Sequence, residues 1–142
     1  MPALTDVPAA LLALLHAASA AESEVDAQLA AVGLSLPKLA ALHHLVDAGQ
    51  PLPLGQLADR LRCVKSNVTQ LVDRLEADGL VARAPDPNDG RARLAVVTTL
   101  GRERYVEGAR LQGEAERAFF GALSPEEADQ LSVLIRKLGR RR

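Results

Sequence analysis

Residues 57–101, LADRLRCVKSNVTQLVDRLEADGLVARAPDPNDGRARLAVVTTLG, decide the fold of this chain. Two short amphipathic helices come first. Two strands follow, joined by a tip of Pro, Asn, Asp and Gly that also carries arginines. A helix-turn-helix followed by a basic β-hairpin can place one helix in the major groove of DNA while the hairpin reaches an adjacent groove. This order of elements therefore predicts a nucleic-acid-binding module.

The two helices of this module have clear boundaries. The first begins near Leu54, and Arg62-Cys63 forms the turn that follows it. The second covers about residues 65–78, where Gly79 provides the stop. Its apolar residues recur every three to four positions and point inward, which leaves a polar outer face. The inward residues are Val68, Leu71, Val72 and Leu75, and the outer ones are Ser66, Asn67, Thr69, Gln70, Asp73 and Arg74.

Two strands complete the module, over residues 80–84 and 93–98, where the sequence is apolar and β-branched. Between them, residues 85–90 (PDPNDG) form a dense turn signal that neither a helix nor a continuous strand crosses. The sequence therefore predicts a two-stranded hairpin with a polar tip.

Two helices precede the module. The first covers about residues 7–32 and ends at Gly33. The second opens with Ser35 as N-cap and Pro37 in the first turn, and Gly49 suits its end. Residues 50–53, QPLP, form a short linker to the module.

Two further helices follow the hairpin. A long one runs from Thr98 to about Phe120, and residues 124–127, SPEE, then form a capping box with Ser124 as N-cap. The last helix carries an apolar stripe. Because this stripe and the first helix have apolar faces that the module does not bury, a second copy of the chain is the expected partner. The stripe consists of Leu131, Leu134, Ile135 and Leu138.

Composition indicates one folded domain with a helical core. The chain has 142 residues, 48% hydrophobic and 25% charged, which is enough for a core without disulfides or metals. Aromatic residues make up only 2%, so Leu, Val and Ala must build that core. The single Cys63 excludes an internal disulfide and a cysteine-rich zinc module, and it favours a reducing, cytoplasmic setting.

The charge is unevenly distributed along the chain. The formal net charge is −1, which by itself argues against a nucleic-acid partner. Residues 1–58 carry one basic and five acidic side chains, whereas residues 59–104 carry nine basic and seven acidic ones. The positive charge therefore concentrates in the helix-turn-helix and hairpin, as an electrostatic footprint for DNA requires.

The apolar residues near the N-terminus predict an ordinary helix. Residues 7–15 are apolar and Ala18-Ser19-Ala20 resembles a cleavage site, but no basic residue precedes Lys38, as a secretory signal would require. No stretch approaches the roughly 20 apolar residues of a membrane span. We therefore expect a cytoplasmic protein without a membrane partner.

From residue 57 to residue 101 the chain resembles the MarR family of winged-helix transcriptional regulators. The resemblance rests on residues 68–76 (VTQLVDRLE), Gly79-Leu80-Val81, Arg83, the hairpin sequence Asp89-Gly90-Arg91, and Thr98 followed by Gly101. The flanking helices also match the family in number and order. An Asp-x-Arg tip just after an LVDRLE-type helix is a specific combination.

The resemblance implies a homodimer whose N- and C-terminal helices interleave. Each subunit would present the second helix of its module to the major groove of a pseudo-palindromic operator, and its hairpin, the wing, to the minor groove. Arg91 matches the wing arginine that enters the minor groove, and Asp89 matches the acid that fixes its geometry. The chain departs from the family at Arg62, where a small residue is usual, and at Val64, where an N-capping Ser is common.

The predicted DNA-contacting residues lie on the outer helix face and the wing. A polar helix face is most often merely solvated, but the helix-turn-helix and wing together favour contact with DNA. Asn and Gln can pair with adenine, Lys and Arg with guanine, and Ser and Thr suit phosphates or base edges. The predicted residues are Lys65, Ser66, Asn67, Thr69, Gln70, Arg74, Arg91 and Arg93.

Cys63 and the histidines admit two interpretations each. Cys63 is a small buried apolar residue of the turn, or a redox sensor whose thiolate is favoured by Arg62, Lys65 and the helix start. The pair His43-His44 suggests a metal site, but adjacent helical side chains point about 100° apart. We therefore expect no metal ligands among them.

No enzyme motif is present: G-x-S-x-G, H-E-x-x-H and a Gly-rich phosphate loop are all missing. We expect no catalytic residues and no cofactor.

Residues and resemblance together predict a mainly α (α+β) fold over residues 1–142, a single domain. Residues 52–99 would form the winged helix-turn-helix lobe, and residues 7–48 and 100–138 the dimerisation helices. The expected function is a repressor that binds double-stranded DNA as a homodimer. A small phenolic or anionic effector, or oxidation, would release it. The alternatives are a winged-helix protein-interaction module without DNA binding, and a thiol-based redox sensor acting through Cys63.

Overall fold

Six helices and a small antiparallel sheet form the described part of the chain, residues 6–63 and 65–139 of a computed structural model. The mainly helical winged-helix fold predicted from the sequence is confirmed. The first helix continues into a short 3-10 turn over Ala30–Val32. The helices are α1 (Asp6–Leu29), α2 (Leu36–Ala48), α3 (Leu54–Leu61), α4 (Lys65–Ala77), α5 (Thr99–Phe120) and α6 (Pro125–Gly139).

Capping residues set the helix ends as the sequence predicts. At the start of α6, the Glu127 amide donates to Ser124 Oγ at 3.1 Å, and the Ser124 amide donates to Glu127 Oε1 at 2.9 Å. This reciprocal pair is a complete capping box. Ser35 caps α2 by accepting from the backbone amide of Lys38. Left-handed glycines follow three helical segments, at Gly33, Gly49 and Gly79.

The sheet has three strands, β1 (Leu52–Pro53), β2 (Val81–Asp86) and β3 (Asp89–Val97), in the order β1-β3-β2. All pairs are antiparallel. Strands β2 and β3 form the predicted hairpin. The linker predicted over residues 50–53 is wrong in part, because Leu52 pairs with Ala95 and the segment adds an edge strand. Its prolines are tolerated there because an edge strand leaves one row of backbone groups unpaired.

The hairpin strands also run further toward the tip than predicted. Pro85 pairs with Arg93, and Asp86 pairs with Asp89 after an irregularity in the ladder. The predicted end of β2 at residue 84 and the predicted start of β3 at residue 93 are therefore wrong. Because β2 is an edge strand, Pro85 can occupy it without removing a hydrogen bond from a second neighbour.

One hydrophobic core joins the flanking helices to the helix-turn-helix and the sheet. In the described part, every buried apolar side chain of this core is Leu, Val or Ala, as the scarcity of aromatic residues predicts. The predicted inward residues of α4 are buried at Val68, Val72 and Leu75, whereas Leu71 is half-buried. Helix α4 thus has one packed face, and its other face points away from the core.

The start of α5 lies very close to the segment that leaves α4. Thr98 caps α5 by accepting from the Gly101 amide at 3.0 Å, and its hydroxyl donates to the Gly79 carbonyl at 2.7 Å. A Cβ at Gly101 would lie 2.1 Å from the Leu80 carbonyl oxygen. Only glycine allows this approach, which fixes the wing and α5 relative to the end of α4.

No single helix in residues 6–63 and 65–139 is long and apolar enough to cross a membrane. Residues Ala9–Val32 and Leu36–Ala48 pass that test only when taken together, and a bend of 72° separates them.

Candidate nucleic-acid interface

The outer face of α4 is polar and open to solvent. Five of the predicted contact residues on this helix are exposed, and none of the five is packed into the core. The backbone of Lys65 begins α4, but its side chain lies outside the described residues, so that prediction is not placed. The exposed residues are Ser66, Asn67, Thr69, Gln70 and Arg74.

The turn before α4 contains a residue in an unusual conformation. Arg62 has φ 56° and ψ 43°, and it is the one non-glycine residue of the described part with positive φ. This is the position at which the chain departs from the small residue usual in the family. A left-handed conformation costs a non-glycine residue about 1 kcal/mol. The Arg62 amide donates to Asp59 O at 3.2 Å, which ends α3.

Cys63 lies next in this turn and is half-buried. Its amide donates to Ala58 O at 3.1 Å, and its side chain packs against the hydrophobic core. The interpretation of Cys63 as an apolar residue of the turn fits this packing. Val64, the other departure from the family pattern, lies outside the described residues.

Arg83 of β2 holds the wing against α4. Its guanidinium contacts Asp73 Oδ1 at 2.6 Å and Glu76 Oε1 at 2.9 Å, and it donates to the Thr69 carbonyl at 3.3 Å. The Arg83 amide also donates to Glu76 Oε2 at 3.2 Å. The wing and the exposed helix face are therefore joined by one side chain, which also offsets two negative charges on α4.

The wing tip is built by two local hydrogen bonds from aspartates. Asp89 Oδ1 accepts from the Arg91 amide at 3.1 Å, and Asp86 Oδ1 accepts from the Asn88 amide at 2.9 Å. Arg91 and Arg93 are exposed. They stand two residues apart on β3 and therefore share one face of the strand.

A second ion pair connects α4 to the flanking helices. Lys38 Nζ of α2 lies 2.9 Å from Asp78 Oδ2, just after the end of α4. Sequence reasoning missed the roles of Lys38 and Arg83. The spacing of Asp73 and Glu76, three residues apart on one helix face, was the available signal for a basic partner.

The histidines lie on α1 and α2. His43 Nδ1 is 2.9 Å from the Tyr105 hydroxyl of α5, and its ring contacts His44 edge-on. Burial, then the nearby His43 and Arg60, lower the pKa of His44 below its ordinary value. Among the described residues, no three His, Cys, Asp or Glu side chains are placed to hold a metal ion.

Comparison with known proteins agrees with this geometry. Residues 32–92 match the model of the MarR family. An uncharacterised HTH-type transcriptional regulator, YkoM of Bacillus subtilis strain 168, is 36% identical over 107 residues, which cover 75% of this chain and 69% of the relative. The chain belongs to the MarR family and is a winged-helix, DNA-binding transcriptional regulator.

Solved structures show the same architecture. A MarR family transcriptional regulator from Streptomyces coelicolor is 31% identical, with a TM-score of 0.81 over 94% of this chain and 92% of that chain. A mutant of E. coli MarR in complex with operator DNA is 23% identical, with a TM-score of 0.84 over 95% and 97% of the two chains. At that identity the second likeness concerns the fold alone. These relatives are transcriptional regulators rather than enzymes.

Proposed function

We propose that this chain acts as a homodimeric repressor that inserts α4 into the major groove of a pseudo-palindromic operator. The wing formed by β2 and β3 would occupy the adjacent minor groove. The observation that carries the proposal is the exposed polar face of α4, to which Arg83 ties a wing with two exposed arginines. A solvated helix face needs no such attachment to a basic hairpin.

The proposed DNA contacts fall into groups according to side-chain chemistry. Asn67, Gln70 and Arg74 can contact base edges, because amides pair with adenine and guanidinium pairs with guanine. Ser66 and Thr69 suit phosphates, and Lys65 joins them on sequence grounds. Arg91 would enter the minor groove, where A·T-rich sequence has the strongest negative potential, with Asp89 holding the tip and Arg93 on the neighbouring backbone.

The dimer is proposed because two helices of the chain leave apolar faces uncovered. On α1, Leu11 and Leu12 are each 55% exposed, and on α6, Leu134 and Leu138 are each 58% exposed. Several large apolar side chains exposed on one helix are typical of an interface. We assign dimerisation to residues 7–48 and 100–138, and DNA binding to residues 52–99.

The dimer also explains how a module with little excess positive charge can be specific. Once one half-site is bound, the second contact becomes intramolecular, so modest affinities multiply. A small molecule bound between the flanking helices and α4 would change the spacing of the two modules and release the operator.

The DNA-binding roles are tested on a site selected from random duplexes. Arg91→Ala should weaken binding in a gel shift, most on sites with A·T-rich flanks. Arg117→Ala is the matched control, because it removes the same charge from an exposed position near the end of α5, outside residues 52–99, and sedimentation checks that this variant keeps the dimer. Equal affinity of wild type and Arg91→Ala at physiological salt would show that Arg91 has no minor-groove role.

The dimer is tested by sedimentation at micromolar concentration. The double variant Leu134→Glu, Leu138→Glu should sediment as a monomer and lose affinity for the two-half-site operator. Ala82→Glu, an apolar-to-acid change on the exposed side of β2, should leave the dimer intact. A wild-type chain that sediments as a monomer would contradict the proposal.

A further inference from the structure

Arg62 adopts a strained backbone conformation for which its side chain makes no compensating contact. It follows the last residue of α3 with φ 56° and ψ 43°, a left-handed conformation that glycine adopts freely and that lowers stability when the residue has a side chain. The bonds that close the turn come from the backbone, since the amides of Arg62 and Cys63 donate to the carbonyls of Asp59 and Ala58. Glycine would form the same bonds, so the turn itself does not require an arginine.

The side chain of Arg62 is exposed and has no partner among the described residues. Leu61 and Cys63, on either side of it, are half-buried and pack against the hydrophobic core, whereas Arg62 is open to solvent. No ion pair or side-chain hydrogen bond in the described part of the chain involves its guanidinium. A strained residue whose side chain contributes nothing to the fold indicates a role in function.

The position of Arg62 places it close to the proposed path of the DNA backbone. It lies three residues before Lys65, at which α4 begins, and three residues span at most about 11 Å. The major groove is about 12 Å wide and has a row of phosphates along each edge. When the first turn of α4 lies in this groove, Arg62 therefore lies beside one of those edges. Arg60 is also exposed, and the two arginines outweigh Asp59, the exposed acid of the same helix end.

We propose that Arg62 binds a phosphate of the operator backbone at the edge of the groove that α4 occupies. The inference rests on the proposed function, because it adds a contact to the same interface. A guanidinium forms charge-assisted and often bidentate hydrogen bonds with phosphate. Such a contact carries no sequence information, so Arg62 strengthens binding to any duplex without selecting bases. The small residue usual in the family at this position has no charge to offer, so the contact is a property of this chain.

The test compares Arg62→Gly and Arg62→Lys with wild type, on the selected operator and on a random duplex of equal length. Arg62→Gly relieves the backbone strain and removes the charge, so we expect a higher urea midpoint together with weaker DNA binding. Affinity for both duplexes should fall about tenfold at physiological salt, which is about threefold for each of two contacts in a dimer. The slope of log affinity against log salt concentration should become shallower by about 1.8, because each phosphate contact contributes about 0.9. Arg62→Lys keeps the charge and should keep the slope.

Arg117→Ala is again the control, and with its dimer intact by sedimentation it should leave affinity and salt slope unchanged. Four results would each overturn the inference: unchanged affinity in Arg62→Gly, a loss with an unchanged salt slope, a loss confined to the operator, or an equal loss in Arg62→Lys. An unchanged urea midpoint in Arg62→Gly would contradict the strain argument on which the inference depends. A wild-type chain that binds no selected duplex would instead count against the proposed function.

Discussion

Arg83 is the residue whose replacement most directly tests how the interface is built. Replacing it with Met keeps an unbranched apolar stem but removes the guanidinium that contacts Asp73 and Glu76. The Arg83 side chain is 19% exposed, whereas its partners are 60% and 45% exposed, so solvent screens each ion pair. With the hydrogen bond to the Thr69 carbonyl included, we expect a loss of about 2 kcal/mol in unfolding free energy.

The effect on DNA binding has two sources. Without Arg83, the wing loses its attachment to α4, and two carboxylates on the helix proposed to contact DNA lose their neutralising partner. We expect operator affinity to fall about tenfold, which corresponds to about 1.4 kcal/mol. Chemical unfolding measures the first quantity, and gel shifts at several salt concentrations measure the second. Adding Asp73→Asn and Glu76→Gln to the variant should restore the part of the affinity that is due to charge.

Arg110→Met provides the matched control. Arg110 also contacts two carboxylates, Glu107 and Glu114, but on α5 and at exposed positions. Its replacement should change stability by less than about 0.5 kcal/mol and, with the dimer intact by sedimentation, leave operator affinity unchanged. If Arg83→Met binds the operator within a factor of about two of wild type, the attachment of the wing by Arg83 does not matter for DNA binding.

Three further changes have definite expected outcomes. Gly101→Ala should lower the unfolding free energy by about 3 kcal/mol, because its Cβ would clash with the Leu80 carbonyl, whereas Gly113→Ala on the same helix should stabilise slightly. The pKa of His44 in the folded chain lies below the ordinary value of 6.5. As the pH falls, the unfolded chain therefore takes up this proton at a higher pH than the folded chain, and the unfolding free energy decreases below about pH 6.5. His44→Gln should reduce that fall in urea titrations at two pH values, and an unchanged fall would contradict the burial argument. Cys63 packs against the core, so mild peroxide should leave operator binding intact in both wild type and Cys63→Ser; a loss that only the wild type shows would identify a redox sensor.

Local signals explain why the helices could be predicted closely. The Ser124–Glu127 capping box and the glycines after α2 and α4 act within a few residues, so the sequence contains the whole interaction. Strand β1 could not be predicted in the same way. A strand of two residues is too short to show a periodic pattern, and Leu52 pairs with Ala95, which is distant in sequence.

The candidate site also combines features that short-range sequence signals predict with contacts that depend on packing between distant segments. The exposed face of α4 follows from helical period, and the polar wing tip follows from turn chemistry. The contacts of Arg83 depend on where β2 packs against α4. At Arg62 the sequence showed only a departure from a family pattern, whereas the structure shows the left-handed backbone that a small residue would adopt at lower cost.

The contacts of α4 also indicate which parts of the chain would move together. Arg83 joins α4 to the wing through two ion pairs and a backbone hydrogen bond, whereas beyond the shared core a single half-exposed ion pair, Lys38–Asp78, is described between α4 and α2. An exposed pair of this kind contributes at most about 1 kcal/mol. We therefore expect α4 and the wing to shift as one unit relative to α1 and α2. A ligand bound between these helices and α4 needs to favour one separation by only about 1.4 kcal/mol to change operator affinity tenfold.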